Sequence, residues 1–314
     1  MNLEAFILGC GGMMPLPNRH LTSMLLRREG DLFLFDCGEG TQVSLRRLNL
    51  RWKKISAIFI THTHADHITG LPGMLMLSAQ VDRSDPLYII GPPRVREYVE
   101  ANRRVLEMYI NYEIIVREIE NPELPQTVFE GDGFRVRSFP GRHTRTCVGY
   151  SFIEDDRSGV FNPDAATAAG VPRGPLWSVL QKGESVHLDD GRIVPPAAVV
   201  GPRRPGRKVT YLTDSTKLDS FTHEVTGSDL LICEGMFDES LRESAVAKKH
   251  MTARDAATLA VEARNIGRMG LIHYSPRYTD RELKILLNEA REVFRESFLT
   301  RDRQQLAVEY REPD

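Results

Sequence analysis

One run constrains this chain more than any other: Thr61-His62-Thr63-His64-Ala65-Asp66-His67-Ile68-Thr69-Gly70. Four potential metal ligands, His62, His64, Asp66 and His67, fall within six positions. The preceding residues, Ile55-Ser56-Ala57-Ile58-Phe59-Ile60, are mostly apolar and predict a buried strand ending near Thr61. Gly70-Leu71-Pro72-Gly73 then opens a helix-like apolar run over 71–79. The ligands thus sit on a strand-to-helix connection held by rigid neighbours. Residues two apart in an extended segment point the same way, so His62 and His64 can face one ion. Asp66 and His67 lie where the chain turns and can face a second. Imidazole and carboxylate donors suit zinc, and also manganese or iron, and a two-metal site is the natural reading.

The rest of the composition bounds the setting. A chain of 314 residues, 41% hydrophobic and 27% charged, fits one large domain or two modest ones with a sizeable core. No apolar run approaches a membrane span, and the first residues lack a secretory pattern. The four cysteines (Cys10, Cys37, Cys147, Cys233) are widely spaced without a CxxC pair. The expectation is a reduced, cytoplasmic protein with buried free thiols and no membrane partner. A net charge of −2 does not advertise nucleic-acid binding, although clustered basic residues escape that test.

Strand and helix patterns alternate along both halves, with hairpins predicted at 23–35 and 128–139, which suggests a layered α/β sandwich. Gly9-Cys10-Gly11-Gly12 lacks the spacing of a dinucleotide fingerprint. Residues 157–208 break the pattern: they are rich in Gly and Pro with weak apolar periodicity, and read as an inserted flexible arm. The arm ends in Arg203-Arg204-Pro205-Gly206-Arg207-Lys208, four positive charges in six residues and a handle for a polyanion. Thr252 with Asp255 reads as a helix-capping box. His143, Asp214 and His273 each follow a predicted strand, so all three can gather at one sheet edge with the first cluster. Asp214 is the candidate carboxylate to bridge two cations.

Residues 61–67 match the THxHxDH signature of the metallo-β-lactamase fold, and the wider pattern resembles the ribonuclease Z family within it. The resemblance is carried by Leu8-Gly9-Cys10-Gly11-Gly12, Leu34-Phe35-Asp36-Cys37-Gly38-Glu39-Gly40-Thr41-Gln42, Gly70-Leu71-Pro72-Gly73 and His273-Tyr274-Ser275-Pro276-Arg277-Tyr278. Gly174-Pro175, Lys182-Gly183-Glu184 and Asp190-Gly191-Arg192 are similar to that family's tRNA-binding arm. The resemblance implies a four-layer αββα sandwich over 1–314 with a protruding arm. It implies a zinc-dependent endonuclease that cuts precursor tRNA after the discriminator nucleotide and acts as a homodimer.

The resemblance also implies residue roles. His62, His64 and His143 would hold one zinc ion, Asp66, His67 and His273 the other, with Asp214 between them; manganese is an alternative metal. Asp66 would orient or deprotonate the attacking water. His250, paired with Glu234, would donate a proton to the leaving oxygen. Substrate contacts are expected from Arg203, Arg204, Arg207, Lys208, Ser275 and Arg277. The chain departs from the family pattern at Pro17, His20, Cys233 and Met236 and in the residues flanking Asp214. Two other readings fit the opening cluster: a hydrolase of small phosphodiesters, thioesters or lactams on the same fold, and an RNA-binding protein with structural metals. The arm argues against the first, and the count of ligands without cysteine against the second.

Overall fold

Many strands of this chain lack polar–apolar alternation because both of their faces are covered. The computed structural model describes residues 2–81 and 83–311, so Met1, Asp82 and 312–314 of the expected domain lie outside it. The strands are β1 (Leu3–Gly9), β2 (Ser23–Arg28), β3 (Asp31–Phe35), β4 (Ile55–Phe59), β5 (Leu87–Gly91), β6 (Ile114–Glu118), β7 (Gln126–Gly131), β8 (Phe134–Pro140) and β9 (Val148–Glu154). They continue as β10 (Val186–His187), β11 (Ile193–Val194), β12 (Lys208–Leu212), β13 (Leu230–Glu234), β14 (Arg268–Ile272), β15 (Ser297–Leu299) and β16 (Gln304–Ala307). The helices are α1 (Thr41–Arg47), α2 (Ala65–Ile68), α3 (Leu71–Ala79), α4 (Val95–Val105), α5 (Pro163–Ala168), α6 (Pro175–Gln181), α7 (Phe221–Val225), α8 (Arg242–Lys248), α9 (Ala253–Ala263) and α10 (Leu283–Val293).

Two seven-stranded sheets result, ordered β16-β1-β2-β3-β4-β5-β6 and β15-β14-β13-β12-β9-β8-β7. Side-chain alternation sorts each strand of the first sheet between two cores. Leu3, Ala5 and Ile7 of β1, and Phe33 and Phe35 of β3, face the second sheet. Phe6, Leu8, Leu32 and Leu34 face outward onto α1, α3 and α4. Phe33 packs on Phe152 with ring centres 5.4 Å apart, and Phe59 on Phe35 and Tyr150 at 5.0 and 5.4 Å. On the outer face of the second sheet, α9 and α10 supply Leu259, Ala260, Leu286 and Ala290. The architecture is the four-layer αββα sandwich of the metallo-β-lactamase fold, as expected.

Topology places the site. The strands β3, β4 and β5 are parallel to one another, as are β12, β13 and β14. Their carboxyl ends, and the loops that leave them, therefore share one edge of each sheet. The Thr252–Asp255 capping box at the start of α9 is present in both directions. Sequence reading missed β15 and the helices α7 and α8, all of seven residues or fewer, because short elements carry too few turns or alternations to register a period.

A second compact unit runs from Glu154 to Arg207, together with the chain from Tyr310. Its Gly/Pro-rich sequence is more ordered than composition suggested. It contains α5, α6 and the β10–β11 hairpin around a small core of Ala166, Val171, Leu180, Val186, Val194 and Val199. Asn162 caps α5 by accepting a hydrogen bond from Ala165 N, and Pro163 occupies the first turn, where its missing N–H costs nothing.

Phe59 stands between both sheets. Phe59→Ala is expected to destabilise the sandwich by about 3–5 kcal/mol, read as a lower denaturant midpoint at unchanged slope.

Candidate metal centre

The loop after β4 is fixed by backbone as much as by side chains. Cys37 N donates to His67 O (2.8 Å) and Gly70 N to Cys37 O (2.8 Å), which locks the loop after β3 against α2. A Cβ at Gly70 would lie 2.3 Å from Gly38 O, so the two segments touch backbone to backbone. The loop after β1 crosses the site in the same way: a Cβ on Gly12 would come within 2.6 Å of the His273 ring, and the next amide, Met13 N, donates to Asp66 Oδ2 (2.7 Å). The glycine run that lacks a dinucleotide fingerprint's spacing thus serves to let this loop pass over His273.

Seven expected residues converge at this edge as two groups. His62 Nε2, His64 Nδ1, His143 Nε2 and Asp214 Oδ2 form the first, with separations of 3.0 to 3.6 Å. Asp66 Oδ2, His67 Nε2 and His273 Nε2 form the second, 3.2 to 3.7 Å apart, with Asp214 Oδ1 3.1 Å from both His67 Nε2 and His273 Nε2. Donors at tetrahedral positions on a zinc-sized ion, about 2.1 Å from it, lie about 3.4 Å apart, so both groups fit such an ion. Asp214 turns one oxygen to each group. Its Oδ1 is buried without a hydrogen-bond donor among the described residues, a costly state that a cation relieves.

The outward nitrogens of three of these rings are engaged, which turns their inward nitrogens to the site. His143 Nδ1 donates to Lys249 O (3.1 Å) and His67 Nδ1 to Asp36 Oδ2 (2.8 Å). Thr61 Oγ1 gives its hydrogen to Asp36 (2.9 and 3.0 Å) and accepts from His62 Nδ1 (3.1 Å). Such outer partners fix ring orientation and tautomer. Burial pushes the imidazoles of His62, His64 and His143 down and keeps them neutral. Burial opposes charge at Asp66 and Asp214 too, yet the surrounding imidazoles outweigh it and hold both carboxyls low. Asp214, Asp66 and Asp36 together overcome burial at His67 and hold its imidazole up, so a cation at its Nε2 would take the place of a proton. Three buried carboxylates (Asp36, Asp66 and Asp214) among imidazoles make a pocket of excess negative charge, suited to divalent cations.

Beside the two groups, His250 Nδ1 lies 3.2 Å from both oxygens of the fully buried Glu234. Ser215 N donates to Glu234 Oε1 (2.7 Å) and fixes it. Burial works against a charged His250, but Glu234 prevails and pushes the imidazole up to about 9. His250 Nδ1 is 4.0 Å from Asp214 Oδ2, so this pair adjoins the metal-binding groups. Cys147 Sγ donates to the Asp214 carbonyl (3.1 Å), and burial pushes its thiol up. None of the four buried, free cysteines joins a group of metal donors among the described residues.

Of the expected substrate contacts, Arg277 is exposed four residues past His273, its Nε donating to the hydroxyl of the buried Ser275 (3.2 Å). Arg203 is exposed in the second unit, and Arg204 Nε donates to Ser158 O (3.2 Å). Arg207 corrects the picture of a four-charge handle. Its side chain is 2% exposed and pairs with the equally buried Glu154 at 2.8 and 2.9 Å, with Tyr310 across its guanidinium. Lys208 begins β12 rather than ending the arm, and its ammonium donates to Glu224 O and Thr226 O; burial lowers it to about 8.

The ribonuclease Z of Treponema denticola is 63% identical to this chain over 310 residues, 99% of each. The chain belongs to the ribonuclease Z family. It is thereby an enzyme, a metal-binding nuclease. The ribonuclease Z of Borrelia hermsii is 42% identical over 307 residues, 96% of each chain. Among solved structures, the short form of human tRNase Z superposes with a TM-score of 0.71 at 25% identity, over 98% of this chain and 99% of that one. The Bacillus subtilis metallo-beta-lactamase fold protein YhfI gives 0.67 at 19% identity, over 98% and 99%, and bears on the fold alone. A family model described as "Anti-Pycsar protein Apyc1" matches residues 3–166, the half that holds the opening cluster and His143. Asp214, Glu234, His250 and His273 lie beyond that match, in the part that the ribonuclease Z relatives also span. Among the described residues, no helix is long and apolar enough to cross a membrane.

Asp36 is the functional residue that sequence reasoning missed. It accepts from Thr61 N (2.7 Å), Thr61 Oγ1, His67 Nδ1 and Tyr211 OH (3.2 Å). The signal was available, since Asp36 directly follows a strand, as Asp214 nearly does. Asp36→Asn places an amide where three neighbours donate. It is expected to weaken metal binding by about 10- to 100-fold, measured by competition with a chelator.

Proposed function

We propose that this chain is a zinc-dependent endoribonuclease that removes the 3′ trailer of precursor tRNA. It cuts after the discriminator nucleotide and leaves a tRNA 3′-hydroxyl and a trailer 5′-phosphate. The observation that carries this reading is the pair of nitrogen–oxygen donor groups sharing Asp214, in a chain whose full-length relatives are named ribonuclease Z.

His62, His64 and His143 would hold one ion and Asp66, His67 and His273 the other, with Asp214 between them; two zinc ions per subunit suit these donors, with manganese as the alternative. When bound, such ions offset the charge of the phosphodiester and lower the pKa of an attacking water. Asp66 orients that water and takes up its proton. His250, held charged by Glu234, gives a proton to the leaving 3′ oxygen. Arg277, exposed four residues past His273, meets a substrate phosphate. The second unit, with Arg203 and Arg204, grips the folded body of tRNA through shape and phosphate charge. We take the assembly to be a cytoplasmic homodimer, as the family resemblance implies.

Incubation with precursor tRNA and zinc is expected to give one cut after the discriminator, and end-mapping that finds none there overturns the reading. Asp66→Ala is expected to abolish this cleavage and turnover of a small chromogenic phosphodiester alike. Removing 159–206 is expected to abolish tRNA cleavage and spare the small substrate; unchanged cleavage would instead favour a hydrolase of small phosphodiesters.

His250 supplies a second test. Its raised pKa keeps it protonated at neutral pH, and the proton is lost as pH rises through about 9. His250→Ala is expected to lower kcat by about 100- to 10,000-fold. Glu234→Gln removes the group that raises the pKa, so the alkaline limb of the kcat/KM profile should move to lower pH.

A further inference from the structure

Residues 46–54 read Arg46-Arg47-Leu48-Asn49-Leu50-Arg51-Trp52-Lys53-Lys54, five cations in nine positions without an acid. Arg46 and Arg47 occupy the last turn of α1, and a 3-10 turn, Trp52–Lys54, leads into β4. Leu45 and Leu50 anchor the segment in the outer core, while all five basic residues are exposed. The helix dipole accounts for a cation at the end of α1, but not for Arg51, Lys53 and Lys54. None of the five makes an ion pair with a carboxylate among the described residues. In a chain of net charge −2 this is a local cluster of positive charge.

A recess accompanies the charge. The half-buried Trp52 has the Arg46 guanidinium 5.8 Å from its ring centre, and its buried Nε1 has no partner among the described residues. Asn49, Leu50, Arg51, Trp52, Lys53 and Lys54 border a cavity of about 340 Å³. Cations beside an aromatic face are the combination that single-stranded nucleic acids meet, with phosphates on the charges and a base on the ring. The recess lies at the start of β4 and the histidine cluster beyond its end. Five strand residues at about 3.3 Å each set roughly 16 Å between them, so this surface is distant from the reacting phosphodiester.

We infer that residues 46–54 form a second RNA-contact surface, taking phosphates on Arg47, Arg51, Lys53 and Lys54 and an unpaired base at Trp52. The choice of RNA as the polyanion rests on the ribonuclease reading above. This surface is separate from the arm and from the metal-binding groups. It binds a remote part of a long substrate and is silent toward a small one.

The test is the full-length protein carrying Arg47→Gln, Arg51→Gln, Lys53→Gln and Lys54→Gln together, with binding of precursor tRNA measured in an Asp66→Ala background over a salt series. The plot of log affinity against log salt is expected to become shallower by roughly 3, about 0.7–0.9 for each lost phosphate contact, with affinity lowered at least about tenfold near 0.15 M salt. With Asp66 intact, turnover of a small chromogenic phosphodiester and the melting temperature are expected to be unchanged. An unchanged slope and affinity overturn the proposal. So does retained RNA binding with loss of binding to polyglutamate or to phosphatidylserine vesicles, which would assign the patch to an acidic protein or a membrane. If precursor tRNA binds with this patch-dependent slope but is not cut, the surface stands and the endonuclease reading alone fails.

Discussion

One buried carboxylate, Asp36, ties the two sheets together at the edge where the chemistry sits. It receives hydrogen bonds from the loop after β4, from α2 and, through Tyr211, from β12 of the opposite sheet. Those bonds do two things at once. They satisfy a charge that has no access to water, and they use up the outward donors of His67 and, through Thr61, of His62. The inward nitrogens are turned to the site. The metal-binding geometry is thus a consequence of how a buried anion is neutralised, and the backbone accommodates it: Asp36 and His273 both adopt left-handed conformations, φ 54° and 63°, that cost a side-chain-bearing residue of order 1–3 kcal/mol.

The fold and most of the centre were legible in the sequence because strand ends are legible. Apolar runs marked β4, β12 and β14, and the polar residue just past each run marked the edge on which the loops gather. His143, Asp214 and His273 could be assembled from that rule alone as candidates, before any resemblance was invoked. Asp36 escaped because its segment was read for its glycines. The carbonyl of Lys249 that orients His143 escaped for a different reason, since any residue type offers a carbonyl and the sequence carries no mark of it.

Charge runs proved less informative than polar residues at strand ends. Arg203, Arg204, Arg207 and Lys208 look equivalent in sequence, yet Arg207 turns inward to Glu154, 53 positions away, and Lys208 belongs to a strand. A run of basic residues states the net field but not which side chains meet solvent. That depends on buried acids supplied from elsewhere in the chain. By the same physics, the 46–54 run keeps its charges outside, where none of them pairs with a carboxylate among the described residues.

The second unit enters between Ile153 and Lys208, which face one another in the antiparallel pairing of β9 with β12. It therefore occupies the position of a hairpin turn. Its two ends leave from adjacent points of one ladder, and Glu154 and Arg207, the first residues past those points, hold one another through a buried ion pair. Lengthening or shortening such an insert changes the closure entropy of the loop only slowly and leaves the register of both strands untouched. The sandwich and the insert can then vary as separable parts, with the insert changing in size and charge while the geometry of the metal-binding edge stays fixed.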